Sequence, residues 1–168
     1  MVFHVMIASV AALAARAVPT VTLSTSRSRA EPVVSAPSHA MDMQPAPINP
    51  DWIIAGDPQA RMADHSKSAD RAAYTALWDC TAGTFRWFFA WDETVHILEG
   101  GVHVTAEDGS VHHLNAGDVA YFKAGTWATW RVDTYVRKVA FLRRPFPAPI
   151  AFAYRLKNKL LPAKTPSL

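Results

Sequence analysis

The chain of 168 residues contains a single cysteine, Cys80. One thiol excludes an internal disulfide framework and any zinc site that is built on several cysteines. The sequence also lacks an apolar run of the roughly 18 residues that a membrane-spanning helix needs. No glycine-rich loop follows a candidate strand, which argues against Rossmann and P-loop folds. Because half of the residues are hydrophobic and 11% are aromatic, the chain can bury a core.

Acidic residues are absent after residue 142, and this concentrates positive charge in the tail. Residues 143–168 carry six basic residues and no acid, whereas residues 51–142 carry 8 basic and 12 acidic residues. The net charge of +3 therefore comes from the tail, not from the body. A nucleic-acid-binding domain clusters basic residues on its folded body, so we expect no nucleic-acid partner.

Glycine and aromatic residues are missing from residues 19–50, which hold six of the twelve prolines. This composition predicts a disordered arm. Residues 2–15 are apolar, but no lysine or arginine precedes them, so three interpretations of residues 1–50 stay open: an upstream extension, a targeting segment, or part of the fold. A start at Met41 or Met43 would give a cytoplasmic protein, and an earlier start leaves export open.

Short runs of aromatic and β-branched residues fill residues 51–142. Residues 84–91 (TFRWFFAW) are typical of a strand that is covered on both faces. Turn signals recur every eight to twelve residues, which predicts an antiparallel sandwich or barrel with a hairpin at 101–114. We therefore predict one all-β domain at 51–142, between an N-terminal extension (1–50) and a proline-rich linker with a basic helix (143–168).

The basic tail contains a predicted helix between Ile150 and Leu161. Phe152, Leu156 and Leu160 share one stripe of this helix, and basic residues lie elsewhere on it. We expect the stripe to pack against the barrel. The alternatives are a loose tail and a helix on a membrane surface, and we do not expect the membrane contact.

Residues 74–142 resemble the cupin family of small, RmlC-like jelly-roll barrels, and within it the branch of the (S)-ureidoglycine aminohydrolase cupin domain. The matching segments are WDCTAG at 78–83, DETVHILEG at 92–100, NAGDVAYFKAG at 115–125, WRV at 130–132 and VRKV at 136–139. The resemblance implies a jelly roll that forms a homodimer and holds a small molecule. It also places Gly100 and Gly117 where the chain reverses between strands.

The metal ligands of the family are mostly replaced in this sequence. By resemblance, the His-x-His positions fall on Trp87 and Phe89, and a later histidine position falls on Ala128, so only Glu93 remains. A transition metal needs three or four ligands, and we therefore expect no metal and no other cofactor. Strand alternation also separates the histidines that could form another site, namely His96, His103, His112 and His113.

Glu93 carries the functional hypothesis. The resemblance directs it into the barrel, where a carboxylate among aromatic rings could act as a general acid or base or hold a substrate amine. The alternative is a structural glutamate that is bonded to an arginine or lysine or is turned to solvent. Lys138 is a candidate partner, because its place in the Arg-Lys pair resembles the family pattern, and the other interpretation of Lys138 is an ordinary surface position. Besides Glu93, the residues expected to bind the ligand are Trp87, Phe89, Tyr121, Trp130 and Lys138. For Tyr121 we expect an inward hydroxyl and for its neighbour Phe122 an outward ring.

Three functions are compatible with these features. The first is a metal-free barrel that binds a small molecule. The second is an enzyme related to ureidoglycine aminohydrolase that acts on a small nitrogenous metabolite with Glu93 as its catalytic residue. The third is a structural or dimerisation module. The sequence does not decide whether the protein is an enzyme, because this fold supports many unrelated activities.

Overall fold

A computed structural model of the protein describes residues 32–160. Their elements are β1 (Gln44–Pro45), β2 (Ile53–Gly56), β3 (Ala60–Lys67), β4 (Ala73–Phe89), β5 (Asp92–Ala106), β6 (Val111–Asn115), β7 (Val119–Phe122), β8 (Thr126–Arg143) and α1 (Ala148–Leu160). The predicted all-β domain with a short C-terminal helix is thereby confirmed. Of the predicted disordered arm at 19–50, residues 19–31 lie outside the described residues, whereas Gln44–Pro45 forms β1, which pairs with β3, and Ile48 is buried in the core.

The strands form one antiparallel sheet in the order β1-β3-β4-β8-β5-β6. Strand β2 adds to β4, and β7 adds to β5. The long strand β8 pairs with β4 from Ala73↔Arg143 to Phe89↔Thr126 and with β5 on its other side. The predicted hairpin joins β5 to β6 with Gly101 opposite Asn115. Pairing between strands that are distant in sequence is typical of a jelly roll, and it confirms the predicted barrel.

Gly100 does not lie at a chain reversal, as the sequence suggested, but inside β5. The pairing of β5 with β8 shifts register between Gly100 and His103, which marks a bulge. The φ of Gly100 is 68°, and an added Cβ would lie 1.9 Å from the carbonyl oxygen of Tyr135. A residue without a side chain is required because the two strands approach too closely for any other. Gly117, in contrast, does lie in a turn, between β6 and β7.

The hydrophobic core is formed mainly by buried side chains of β4, β5 and β8. Its largest fully buried side chains are those of Trp130, Phe85 and Phe89. Cys80 is also buried there, and burial raises the pKa of its thiol to about 12. A thiol with so high a pKa stays protonated at neutral pH, so Cys80 acts as a small apolar core residue and not as a nucleophile.

The C-terminal helix differs from the expectation. No residue of α1 is buried, and Phe152, Leu156 and Leu160 are all exposed. The predicted packing of this stripe against the barrel is therefore wrong. Prolines at 145 and 147 separate the helix from β8, because proline cannot continue the pairing of a strand. No helix among residues 32–160 is long and apolar enough to cross a membrane.

Candidate ligand-binding site

Strand alternation aims Glu93 into the barrel. On β5, Glu93, Val95 and Ile97 are all buried, whereas the residues between them are only partly buried. Successive side chains of a strand point to opposite faces, so the three buried side chains share the inner face. The family position of Glu93 and the burial pattern of β5 thus agree on its orientation.

Glu93 forms an ion pair with Lys138 inside the core. The Lys138 Nζ donates a hydrogen bond of 2.6 Å to the Glu93 Oε1. Only 7% of the glutamate side chain and 6% of the lysine side chain are exposed. Two charges so far from water depend on each other, because each would carry a large desolvation cost alone. The lysine is the partner that the sequence suggested.

Two indole rings surround the ammonium group of Lys138. Its Nζ lies 4.6 Å from the ring centroid of Trp130 and 5.0 Å from that of Trp78. The negative faces of indole rings attract a cation within about 6 Å. The two rings meet edge-on with centroids 6.0 Å apart. Lys138 is therefore fixed by the carboxylate and by two rings, which leaves little freedom for the position of Glu93.

A cavity of about 230 Å³ opens beside Glu93. Its lining is mostly aromatic and consists of Glu93, Tyr74, Trp87, Phe88, Phe89, Ala90, Trp91 and Leu142. Among the described residues, no group donates a hydrogen bond to the Glu93 Oε2. Burial raises the pKa of the Tyr74 hydroxyl, and the nearby negative charge of Glu93 adds to this effect. The cavity thus combines apolar ring surface with the side chain of Glu93, whose Oε1 is bonded to Lys138 and whose Oε2 accepts no hydrogen bond from the described residues.

The structure brings most of the predicted site residues together. Trp87, Phe89 and Glu93 line the cavity. Trp130 and Lys138 do not line it. Lys138 instead contacts the ring of Trp130 and donates a hydrogen bond to Glu93. The predicted cluster therefore divides into a lining layer and a supporting layer.

The predicted orientation of Tyr121 is wrong. Its side chain is 62% exposed, and its hydroxyl donates to the Asp92 Oδ1 on the outside of the barrel. In the pairing of β5 with β7, Phe122 lies opposite Glu93 and Tyr121 lies opposite Thr94. Directly opposite residues project to the same face, so the inward Glu93 requires an inward Phe122. The ring of Phe122 accordingly stacks on Phe89 at 4.3 Å.

Sequence reasoning missed four aromatic residues of the site: Tyr74, Trp78, Phe88 and Trp91. The rings of Tyr74 and Trp91 meet edge-on at 5.4 Å at the cavity mouth, and Arg144 lies 4.9 Å from the centroid of Trp91. Trp78 belongs to the same inner face as Cys80, two residues later. Period-two alternation around the buried Cys80 was the signal that could have found Trp78.

The histidines do not converge on a common point. His103 and His113 stack with parallel rings 4.1 Å apart, and the His103 Nε2 lies 3.2 Å from Asp133. His112 instead contacts Ser110. Within residues 32–160, no group of three or more histidine, cysteine or acidic side chains is placed to hold a metal ion.

Comparison with known proteins identifies the domain. Residues 67–140 match a family described as the EutQ-like cupin domain. This chain contains a cupin domain. Membership of the cupin superfamily is thereby confirmed, whereas the ureidoglycine aminohydrolase branch stays a prediction. No curated protein matches the chain significantly.

Solved structures of cupins are similar in fold. A protein of unknown function from the DUF861 family of Pseudomonas syringae is 25% identical, with 61% of this chain and 45% of that chain covered and a TM-score of 0.57. A predicted oxalate decarboxylase from Thermotoga maritima is 16% identical, with 67% and 99% covered and a TM-score of 0.52. An ethanolamine utilization protein, EutQ, from Salmonella typhimurium is 19% identical, with 62% and 97% covered and a TM-score of 0.47. The chain spans less than half of the Pseudomonas protein.

The residues at the cupin metal position do not fit a metal ion. Trp87 and Ala128 lie directly opposite each other on β4 and β8, and Phe89 is buried against Phe122. Neither indole nor phenyl rings nor a methyl group can coordinate a transition metal. The remaining ligand, Glu93, already has Lys138 as its partner. We therefore derive no chemistry through a metal at this position.

Proposed function

We propose that this cupin domain is a metal-free module that binds a small molecule beside the Glu93–Lys138 pair. The observation that carries the proposal is that Glu93, with no hydrogen bond to its Oε2 from the described residues, lines a mostly aromatic cavity. A pocket with mostly apolar walls and one fixed polar group is typical of small-molecule sites. Lys138 takes the structural place of the metal, because it neutralises and orients the carboxylate.

The cavity favours a small, flat ligand with a hydrogen-bond donor. Its volume of about 230 Å³ is below the roughly 300–1,000 Å³ of sites for drug-sized ligands. Ring surfaces from Trp87, Phe89 and Trp91 favour an aromatic ligand through edge and stacking contacts. The Glu93 carboxylate accepts hydrogen bonds, so the ligand must present an N–H or O–H group to it.

The test compares two probes of nearly equal size that differ in the donor. Indole has an N–H group, and indene has a CH2 group at the same ring position. Hydrogen bonds to charged groups contribute about 1.5–3 kcal/mol, so indole should bind about tenfold or more tightly in calorimetric titration. Glu93→Gln should reduce this difference, and the exposed Glu99→Gln is the matched control. Equal affinity of the wild type for both probes would refute the role of Glu93. Equal affinity of Glu93→Gln and Glu99→Gln for indole would refute it as well.

The alternative function is an aminohydrolase-like activity in which Glu93 transfers a proton. The open Oε2 of Glu93 is the feature that such a role requires. Ammonia release from ureides, measured for the wild type and for Glu93→Gln, decides between the two functions. Release that the variant abolishes would establish an enzyme, and release equal to that of the variant would leave the binding module.

We also propose a homodimer that forms through the outer face of the sheet. Phe141, Thr94 and Tyr121 form one row across β8, β5 and β7, and Val139, His96 and Val119 form the next. Of these, Phe141, Tyr121 and Val119 are exposed. Exposed apolar side chains that lie together favour association. Light scattering should show a dimer that Phe141→Ser with Val119→Ser converts to a monomer; a monomeric wild type would contradict the proposal.

A further inference from the structure

The C-terminal helix α1 has a large apolar surface that is exposed. Five of its large apolar side chains have exposed fractions from 46% to 69%: Ile150, Phe152, Tyr154, Leu156 and Leu160. No residue of the helix is buried. Isolated exposed apolar residues are ordinary, but Phe152, Leu156 and Leu160 lie on one side of the helix and form a stripe of the kind that marks an interaction site, while Ile150 and Tyr154 lie on another side.

Positive charge surrounds this apolar surface. Phe152, Leu156 and Leu160 are spaced by four residues and form one stripe, and Lys157 and Lys159 project on opposite sides of it. Arg155 adds a third cation, and the helix contains no acidic residue. The complementary surface must therefore be anionic and must also accept apolar side chains.

An anionic lipid surface has both properties. Leucine and phenylalanine side chains enter the boundary between headgroups and acyl chains, while lysines on the flanks extend their ammonium groups back to the phosphates. The body of the protein, residues 51–142, has a net negative charge from 12 acidic and 8 basic residues. Such a body is repelled by anionic lipid, so the basic tail is suited to make this contact and the body is not.

We propose that α1 binds reversibly to the surface of anionic membranes and holds the cupin domain there. The helix is 13 residues long, so it lies along the surface and does not span the bilayer. The contact is independent of the cavity beside Glu93. It also differs from the packing against the barrel that the sequence led us to expect.

The experiment is co-sedimentation of the full chain with vesicles of phosphatidylcholine, with and without phosphatidylglycerol. We expect binding to the anionic vesicles only, and weaker binding at high salt because salt screens the charges. Each basic residue contributes about 1 kcal/mol at such a surface, so Lys157→Glu with Lys159→Glu should lower the partition coefficient by at least about tenfold. Leu156→Ser with Leu160→Ser should lower it by a similar factor.

Matched controls carry the same changes elsewhere. Lys123→Glu reverses an exposed lysine in a turn, and Val111→Ser removes an exposed apolar side chain from β6. Both controls should bind to the vesicles like the wild type. Thermal unfolding of the helix variants should be unchanged, because the substituted residues of α1 are exposed. Equal binding to neutral vesicles would overturn the proposal. The absence of any binding to anionic vesicles would also overturn it. So would binding that both helix variants retain, because the apolar residues 2–15 would then be responsible. So would self-association that the helix variants abolish, because α1 would then dock on a second copy.

Discussion

Replacement of Lys138 by methionine tests the buried ion pair most sharply. Methionine keeps the unbranched shape of the lysine side chain and makes favourable contacts with the rings of Trp78 and Trp130. The substitution therefore removes the charge with little change in packing. It leaves Glu93 buried without its partner, among aromatic side chains.

The expected loss follows from the geometry of the pair. At the observed 2.6 Å, the attraction between unit charges is about 6 kcal/mol in an effective dielectric constant of about 20. Burial costs each ion several kcal/mol, so the intact pair contributes little net stability. Removal of one partner leaves the cost without the attraction, and we expect Lys138→Met to lower the free energy of unfolding by about 3–5 kcal/mol.

Urea unfolding of four proteins measures this prediction: the wild type, Lys138→Met, Glu93→Gln and the double variant. The double variant should recover much of the stability, because neither side chain is then charged. A loss below about 1 kcal/mol, as for an exposed pair, would refute the reasoning. A double variant as unstable as the sum of the single variants would refute it too.

Three further predictions concern other residues. The pKa of the Asp92 carboxyl is lowered, first by the hydrogen bond from the Ala124 N–H and then by the Tyr121 hydroxyl and Arg143. Asp92 therefore stabilises the fold above about pH 4, and this stabilisation is lost as the pH falls through the lowered pKa. Asp92→Asn should therefore be less stable than the wild type at neutral pH and should lose less stability than the wild type in acid. Urea unfolding across this pH range measures both, and a parallel loss of stability in the two proteins would contradict the prediction. Cys80 should resist iodoacetamide until the protein is denatured, because its pKa is raised to about 12; full labelling of the folded protein, measured by mass spectrometry, would contradict the burial. Gly100→Ala should cost at least about 2 kcal/mol more than Gly109→Ala in thermal unfolding, because both residues have positive φ but only Gly100 faces a backbone oxygen; equal losses would contradict the close approach.

The family resemblance predicted the inward direction of Glu93, and it made Lys138 a candidate partner beside the alternative of a surface position. Local signals predicted the fold, because turn spacing and alternation indicate a barrel. The sequence pattern also predicted the helix near the C-terminus. These features follow from the period of a strand or a helix, which neighbouring residues specify.

The missed features depend on non-local geometry. The register of β4 against β8 shifts between Thr81 and Gly83, so the inner face changes from even-numbered residues such as Trp78 to odd-numbered residues such as Trp87. Alternation alone therefore hides that these two rings share one face. Tyr121 was misplaced because its hydroxyl suggested an inward role, whereas its direction is set by its pairing with Thr94.

Elemental analysis of the purified full chain, combined with native mass spectrometry, tests most directly whether Lys138 occupies the place of a metal. We predict no stoichiometric transition metal in the wild type and no change in metal content in Glu93→Gln. We also predict a small organic molecule that leaves the protein on denaturation. One tightly bound transition metal per chain, lost in Glu93→Gln, would contradict the proposal.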